Sequence, residues 1–473
     1  MDVRGGPAPH WSVHEIIPGS IPDPIIVALT FQGKGMMSWS RLYGFKNYLK
    51  SSLWLVPFVA IPLELVITRF LHRLDTWLGW SLLGFTQTGA RALLEAFATI
   101  TLSFVVFTFG SLLIAIQVAS AQLTPRLIAT TLLRNRVVKY TVGLFIFTLM
   151  FALSAQNLMD KEVHQLVMLL AIVLGILSFA AFFHLIDYAS RLLRPISLLA
   201  HVGAAGIAVT ESIYPEAGHG TDVEEGEAIN LGPPGRVFRH QGASAIAVAV
   251  DLEALKAQAE RSKGVIEFVP QIGDFVATDD PLFNLYSGAC SLDEHALNSR
   301  VAFGSERAMD QDPTFAFRIV VDVALKALSP AINDPTTAVL AMDQLHRMLR
   351  TVGNRHLRTD ELLDRSGQIR VIFRTPNWDD FVYLAFSEIR NCGSNNLQIV
   401  RRMRAMIENL VQTLPPNRRE ALLRQLSLLD REVERIFTYP EELALARVAD
   451  AQGLGGHSGK VNSMKGIASP IRA

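Results

Sequence analysis

The sequence predicts a membrane α-helical bundle of four transmembrane helices, followed by a cytoplasmic α+β region with a small β-rich domain and helical hairpins. Three observations predict it. First, charge is spread unevenly: 14 charged side chains fall in the 140 residues from Ser51 to Ser190, or 10%, against 74 in the other 333, or 22%. Second, the charge-poor part holds four apolar stretches long enough to cross a hydrocarbon core, which takes about 20 helical residues. Third, the charge-rich part begins with short strand-like runs separated by Gly, Asp and Pro. It continues with helical patterns opened by Asp-Pro-Thr steps.

Over the whole chain of 473 residues, 44 Lys+Arg balance 44 Asp+Glu. That balance argues against a dedicated nucleic-acid binder, so no nucleic-acid partner is expected. Two cysteines, Cys290 and Cys392, cannot build a disulfide framework. They show no CxxC or Cys/His ligand spacing, so no metal or cofactor is expected.

Residues 1–50 are mixed in composition and lack the usual form of a signal peptide, so they form an N-terminal segment and the first span is retained. The transmembrane domain covers 51–190, with spans at about 53–71, 97–118, 140–158 and 166–186. Lys34, Arg41, Lys46 and Lys50 precede the first span, Arg126, Arg134, Arg136 and Lys139 follow the second, and Arg191 and Arg194 follow the fourth. Only Arg69, Arg73, Arg91 and Lys161 lie on the opposite side. This bias puts both termini in the cytoplasm.

Polar residues inside the spans are the first candidates for function. Glu64 sits near the middle of the first span, after Pro57 and Pro62. A carboxylate at that depth is costly and is by default a functional hypothesis. It faces the bundle interior, where it binds a cation or proton; alternatively it is a protonated group bonded to a nearby Ser or Thr. In the second span Thr101, Phe104, Thr108, Ser111, Ala115, Ala119 and Gln122 share one narrow arc. That stripe lines a water-filled path, or it is a seam of close helix packing. His184 and Asp187, three apart, share a face as a pH-sensing pair or as an interfacial helix end. The loop 120–136 is amphipathic and lies on the inner leaflet or on the cytoplasmic region.

A β-rich domain is expected over 191–310. Residues 219–236 read as a linker, 244–250, 265–269 and 282–286 as strands, and Asp251 as the cap of a short helix. The Gly273-Asp274-Phe275-Val276 turn resembles those of barrel-sandwich domains in shape only. A helical region with one strand, 369–374, is expected over 311–447. Asp312-Pro313-Thr314 and Asp334-Pro335-Thr336 each open a helix, because Asp is a good N-cap and Pro suits the first helical position. The connection between them, Ser329 to Asn333, reads as a tight turn. A second reading uses Asn333, Asp334, Thr336 and Thr337 as an anion site at a helix N-terminus. Helices at 397–414 and 418–437 form a hairpin whose Arg401, Arg402 and Arg404 meet Glu420, Asp430, Glu432 and Glu434. Residues 448–473 read as a disordered tail.

These parts in this order resemble a bacterial family of membrane proteins catalogued as domain of unknown function 2254. The resemblance rests on the four spans, Leu193-Arg194-Pro195-Ile196-Ser197, the Gly273–Val276 turn and Asp310-Gln311-Asp312-Pro313. Its most specific part is Ser329-Pro330-Ala331-Ile332-Asn333-Asp334-Pro335-Thr336. It covers roughly residues 42–445 and implies a bacterial inner-membrane location, but no catalytic role.

Three function classes follow. Glu64 and the stripe at Thr101, Thr108 and Ser111 point to an oligomeric ion channel or transport-type protein. Four spans enclose no wide path, so this requires a homo-oligomer in the lipid bilayer, passing a small ion. The large charge-rich region points instead to a membrane-tethered sensor or scaffold binding an unidentified cytoplasmic ligand or partner. An enzyme is least favoured, since no P-loop, GxSxG, HExxH or dinucleotide-binding glycine set is present.

Overall fold

The computed structural model describes residues 39–456, apart from 53, 79–83, 123–135, 159–162, 193, 217–230 and 358–359. Most of the expected N-terminal segment, the amphipathic loop, the linker up to residue 230 and the tail beyond residue 456 lie outside the described residues.

A first helix, α1 (Trp39–Ser51), leads into four long apolar helices: α2 (Leu55–Leu78), α3 (Gln87–Gln122), α4 (Arg136–Leu158) and α5 (Gln165–Leu192). Each expected span coincides with one of α2 to α5. Lipid tails are as apolar as leucine, so such helices associate through close packing rather than through the hydrophobic effect. Glycines set that packing. A Cβ on Gly143 of α4 would lie 2.6 Å from Val56 Cγ1 of α2, and one on Gly175 of α5 would lie 2.5 Å from the Phe97 ring of α3. Leu94, Phe151, Ala155, Val167 and Met168 are fully buried between the helices. Phe58, Val106, Ile114 and Phe183 remain exposed on the outer surface.

A further long helix, α6 (Pro195–Ile213), follows α5 after a break at Arg194-Pro195. Among the described residues five helices, α2 to α6, are therefore long and apolar enough to cross a membrane, where four were expected. The fifth carries no Asp, Glu, Lys or Arg from Pro195 to Thr210. The stretch 191–310, expected to be β-rich, therefore opens with a long helix.

The chain then forms β1 (Arg236–Arg239), β2 (Ala245–Val250), α7 (Leu252–Ser262), β3 (Gly264–Gln271), β4 (Phe275–Val276), β5 (Pro281–Ser287), α8 (Glu294–Asn298) and β6 (Val301–Gly304). After these come α9 (Pro313–Ala327), α10 (Pro335–Gly353), β7 (Glu361–Leu363), β8 (Ile369–Arg374), α11 (Trp378–Gly393), α12 (Leu397–Thr413), α13 (Arg419–Ile436) and α14 (Pro440–Ala446). The strands make a five-stranded sheet, β1-β5-β3-β8-β7, and a three-stranded sheet, β4-β2-β6. Among the described strands, β3 and β8 alone pair in parallel, with Ile266 opposite Val371; the other pairs are antiparallel. Phe238, Phe268, Phe283, Leu285 and Val301 fill one core shared by both sheets. The stretch 311–447 thus supplies two strands rather than one, and both complete a sheet begun before it. β7 spans three residues, too few for a periodic pattern to signal it.

Asp and Asn caps start the helices where the sequence put them. Asp251 accepts from Ala254 N at 3.2 Å, Asp312 from Phe315 N at 3.1 Å and Asp334 from Thr337 N at 3.1 Å. Asn377 and Asp380 form a reciprocal capping box on α11.

Helix α6 belongs to the core of this globular region. Leu198, Leu199 and Val202 are buried with Val320 of α9 and Leu345 and Met348 of α10. The approach is close: a Cβ on Gly206 would lie 2.6 Å from Ala316 Cβ and 2.8 Å from Met348 Cε. At the end of α6, Tyr214 is fully buried and its hydroxyl donates to Pro376 O at 3.0 Å. Arg355 donates to Glu211 at 2.7 Å and to Pro215 O at 3.0 Å. On the N-terminal side of the bundle in sequence, α1 also docks on the globular region. Ser40 N donates to Ser299 O at 3.2 Å, and the Tyr43 hydroxyl donates to Asp310 at 3.0 Å.

Gly206→Val pushes α6 off α9 and α10 and costs about 1–3 kcal/mol of stability, as overpacked cores do. Ala208→Val, on the exposed side of the same helix, stays within about 0.5 kcal/mol. Thermal unfolding of the purified full chain checks both.

Candidate functional site

Polar side chains inside the bundle are buried and mostly paired. Glu64 is 1% exposed and accepts from the Thr68 hydroxyl at 2.6 Å, one turn along α2. Glu64 thus has a hydroxyl partner within its own helix. Thr148 of α4 and Ser178 of α5 share a buried hydrogen bond of 3.0 Å. Such interhelical bonds average about 0.6 kcal/mol in membranes.

The stripe on α3 faces neighbouring helices. Thr101 and Thr108 are 2% and 5% exposed, whereas Ser111 is exposed and donates to Phe107 O at 2.7 Å. Between the two threonines, Phe104 stacks on Phe182 with ring centroids 4.1 Å apart, meets Phe179 edge-on and lies tilted against Phe145. These rings fill the space that a water path along the stripe would need, so within one chain the stripe is a packing seam. The side chains of Ala119 and Gln122 lie outside the described residues. Thr108 Oγ1 has no hydrogen-bond partner among the described residues.

A further polar group was not foreseen. Asp75, 7% exposed near the end of α2, accepts from Leu166 N at 3.1 Å and lies 3.1 Å from His164 Nδ1. His72 meets His164 edge-on at 4.3 Å. This group ties α2 to the start of α5. His184 and Asp187, expected as a pair, diverge: Asp187 pairs with Arg191, and His184 lies beside Tyr188.

In the globular region, the Ser329–Thr336 motif is a turn that satisfies itself. Ser329 Oγ donates to Lys326 O at 2.7 Å, Asn333 N to Ser329 O at 2.9 Å and Asp334 N to Ala327 O at 2.8 Å. Asn333 adopts φ 48°, a left-handed conformation that Asn tolerates better than most residues. Both Asp334 oxygens are engaged, one by Thr337 N and one by the Thr337 hydroxyl at 2.6 Å. Pro335 takes the first position of α10, and Thr336 is exposed. The carboxylate therefore serves as a cap, and its charge at the helix start opposes an anion there.

Asp312 differs from Asp334 in one respect. One oxygen caps α9, while Oδ2 is buried without a partner among the described residues. Burial raises its pKa above the ordinary carboxylate value. The Gly273 turn lies against it: a Cβ there would come within 2.6 Å of Oδ2, and φ +95° independently favours glycine. The Gly273–Val276 and Asp310–Pro313 sequence phrases thus meet where the β-rich domain packs on α9.

The basic cluster of α12 is largely internal. Arg401 is fully buried and donates to the carbonyls of Val448, Gly455 and Gly456 at 2.9–3.3 Å. Arg402 pairs with Asp343 at 2.7 Å, and Arg404 pairs with Asp430. Residues 448–456, expected as disordered tail, are therefore bound to α12 and belong to the fold.

Beside Arg402, His346 Nε2 lies 2.9 Å from Asn409 Oδ1, and Arg402 Nη2 donates to His346 Nδ1 at 3.3 Å. An accepting Nδ1 carries no proton, so this network needs the neutral ring. Burial, aided by the Arg402 charge, holds His346 below its ordinary value.

A family model described as predicted membrane protein (DUF2254) matches residues 50–409. The chain belongs to this family. The match runs from just before α2 into α12 and includes the polar pairs of the bundle, the Gly273 turn and the Ser329–Thr336 turn. Two proteins described as uncharacterised, one from Mycobacterium bovis and one from Mycobacterium tuberculosis, are each 24% identical over 426 residues. The alignments cover 86% of this chain and 81% of each relative. No solved structure matches the chain.

The depressed His346 pKa has a defined pH consequence. Below the ordinary histidine value of about 6.5, the unfolded chain binds a proton that the folded ring resists. Stability is therefore complete above that value and falls as the pH drops through it toward the folded pKa. Thermal midpoints taken between about pH 7.5 and about pH 5.5 should fall further for the wild-type chain than for His346→Gln.

Proposed function

We propose that this protein is a membrane-tethered sensor or scaffold of the bacterial inner membrane. In this reading four helices, α2 to α5, span the bilayer, and both termini and the globular region are cytoplasmic. One observation carries it: the first and last helices of the bundle are each joined to a helix docked on the same globular region. Helix α1 precedes α2 and bonds to Ser299 and Asp310, whereas α6 follows α5 and shares the core of α9 and α10. A displacement of the bundle therefore reaches the globular region at two points.

Chain parity supports four spans. If α2 to α6 all crossed, α1 and the domain after α6 would stand on opposite faces of the membrane, yet they are in contact. The excess of Lys and Arg before α2, after α3 and after α5 supports the cytoplasmic orientation.

The alternative, a pore formed by a homo-oligomer, needs Glu64 or Thr108 turned toward a common axis. Both side chains are buried against helices of their own chain. The charge-rich region, by contrast, is larger than an anchor needs and suits the binding of a cytoplasmic ligand or partner.

Ion-flux assays on the full chain in liposomes separate the two readings. The sensor reading expects no flux, and expects Glu64→Gln to change stability by no more than about 1 kcal/mol, since the amide oxygen still accepts from Thr68. A current that Glu64→Gln abolishes would overturn it.

A further inference from the structure

Helix α2 has an exposed tryptophan at each end: Trp54, 41% exposed, just before its first turn, and Trp77, 82% exposed, in its last. The helix rises about 35 Å between them, close to the hydrocarbon thickness of about 30 Å. Tryptophan collects at both membrane interfaces. Trp54 therefore marks the membrane boundary on the side of the globular region. Helix α1 ends at Ser51, three residues before Trp54, where the chain bends. Its C-terminal end thus stands at the boundary, and it does not continue the axis of α2.

The two faces of α1 differ. Ser40 and Tyr43 bond to Ser299 and Asp310 of the globular region. At about 100° per residue, Leu42, Phe45 and Leu49 share an arc of about 60° on the opposite face. Leu42 and Phe45 are 53% and 48% exposed, and exposed Arg41 and Lys46 flank their stripe on either side. An apolar stripe between basic residues is the pattern of helices that lie in the headgroup layer, where acyl chains take the stripe and lipid phosphates the cations. We propose that this face of α1 rests on the anionic surface of the leaflet on the globular side. Leu42 and Phe45 enter the acyl boundary, and Arg41 and Lys46 meet lipid phosphates. The globular region and the bilayer then hold α1 between them. This surface stands independently of the sensor reading, because it requires only that α2 spans the bilayer.

The test uses the full chain in nanodiscs, with Cys290 and Cys392 replaced by serine and a bimane label on Leu42→Cys. A small fraction of the lipid bears a nitroxide near its ester end, carried on either phosphatidylglycerol or phosphatidylcholine. The proposal expects both lipids to quench the label, phosphatidylglycerol about fivefold more strongly, the worth of one basic residue near an anionic surface. It expects Arg41→Gln combined with Lys46→Gln to remove that preference. It also expects aqueous iodide to quench this label far less than one on Glu253→Cys, an exposed site of the globular region. Equal iodide quenching at the two sites, with no quenching by either lipid, would overturn the surface. Equal quenching by the two lipids would overturn the anionic contact. The same label on Phe45→Cys gives a second reading that decides the matter even if Leu42→Cys fails to fold.

Discussion

The architecture depends on the close contact between α6 and the pair α9 and α10. Gly203 and Gly206 present no side chain there: a Cβ on Gly203 would sit 2.7 Å from Gln344 Oε1, and one on Gly206 would strike Ala316. Because the backbone comes this near, Leu198, Leu199 and Val202 enter the same core as Val320, Leu345 and Met348. Interiors packed to this density transmit displacements rather than absorbing them. The break at Arg194-Pro195 redirects the chain from α5 into that core without a long linker. The bundle and the globular region are consequently joined by packing as well as by the chain.

Within the bundle, several polar groups are paired, one within a helix and others between helices. Glu64 with Thr68, Thr148 with Ser178, and Asp75 with His164 and Leu166 N are pairings that an apolar environment favours. Leu112 of α3 packs against the globular core, a further contact between the bundle and that region.

Local chemistry made much of the fold legible. Asp-Pro-Thr at 312 and 334 started α9 and α10 because Asp can bond the free amides of the first turn and Pro needs no partner there. The strand 369–374 and the hairpin of α12 and α13 were legible from their hydrophobic periods. Helix α6 was not, because length and hydropathy do not separate a core helix from a span when both are uncharged. The link of Asp75 to His164 joins residues 89 apart in sequence, and the parallel pairing of β3 with β8 joins segments about a hundred apart; neither leaves a local signal. The burial of Arg401 by Val448 and Gly455 was also hidden, since arginine clusters on amphipathic helices usually face water. At the candidate sites, the local partners of Glu64 and Asp334, Thr68 and Thr337, lie within one turn in the sequence, whereas the distant partners, such as His164 for Asp75 and Val448 for Arg401, emerged only from the three-dimensional arrangement.

The central claim is that α6 is a core helix docked at the membrane face rather than a fifth span. It is tested most directly by labelling a single cysteine at Ala208, on the exposed side of α6, in a chain with Cys290 and Cys392 replaced by serine. The account predicts that a membrane-impermeant maleimide labels this site from the same side of the membrane as a cysteine at exposed Glu253, without detergent. Protection until the bilayer is dissolved, or labelling from the opposite side, would contradict it.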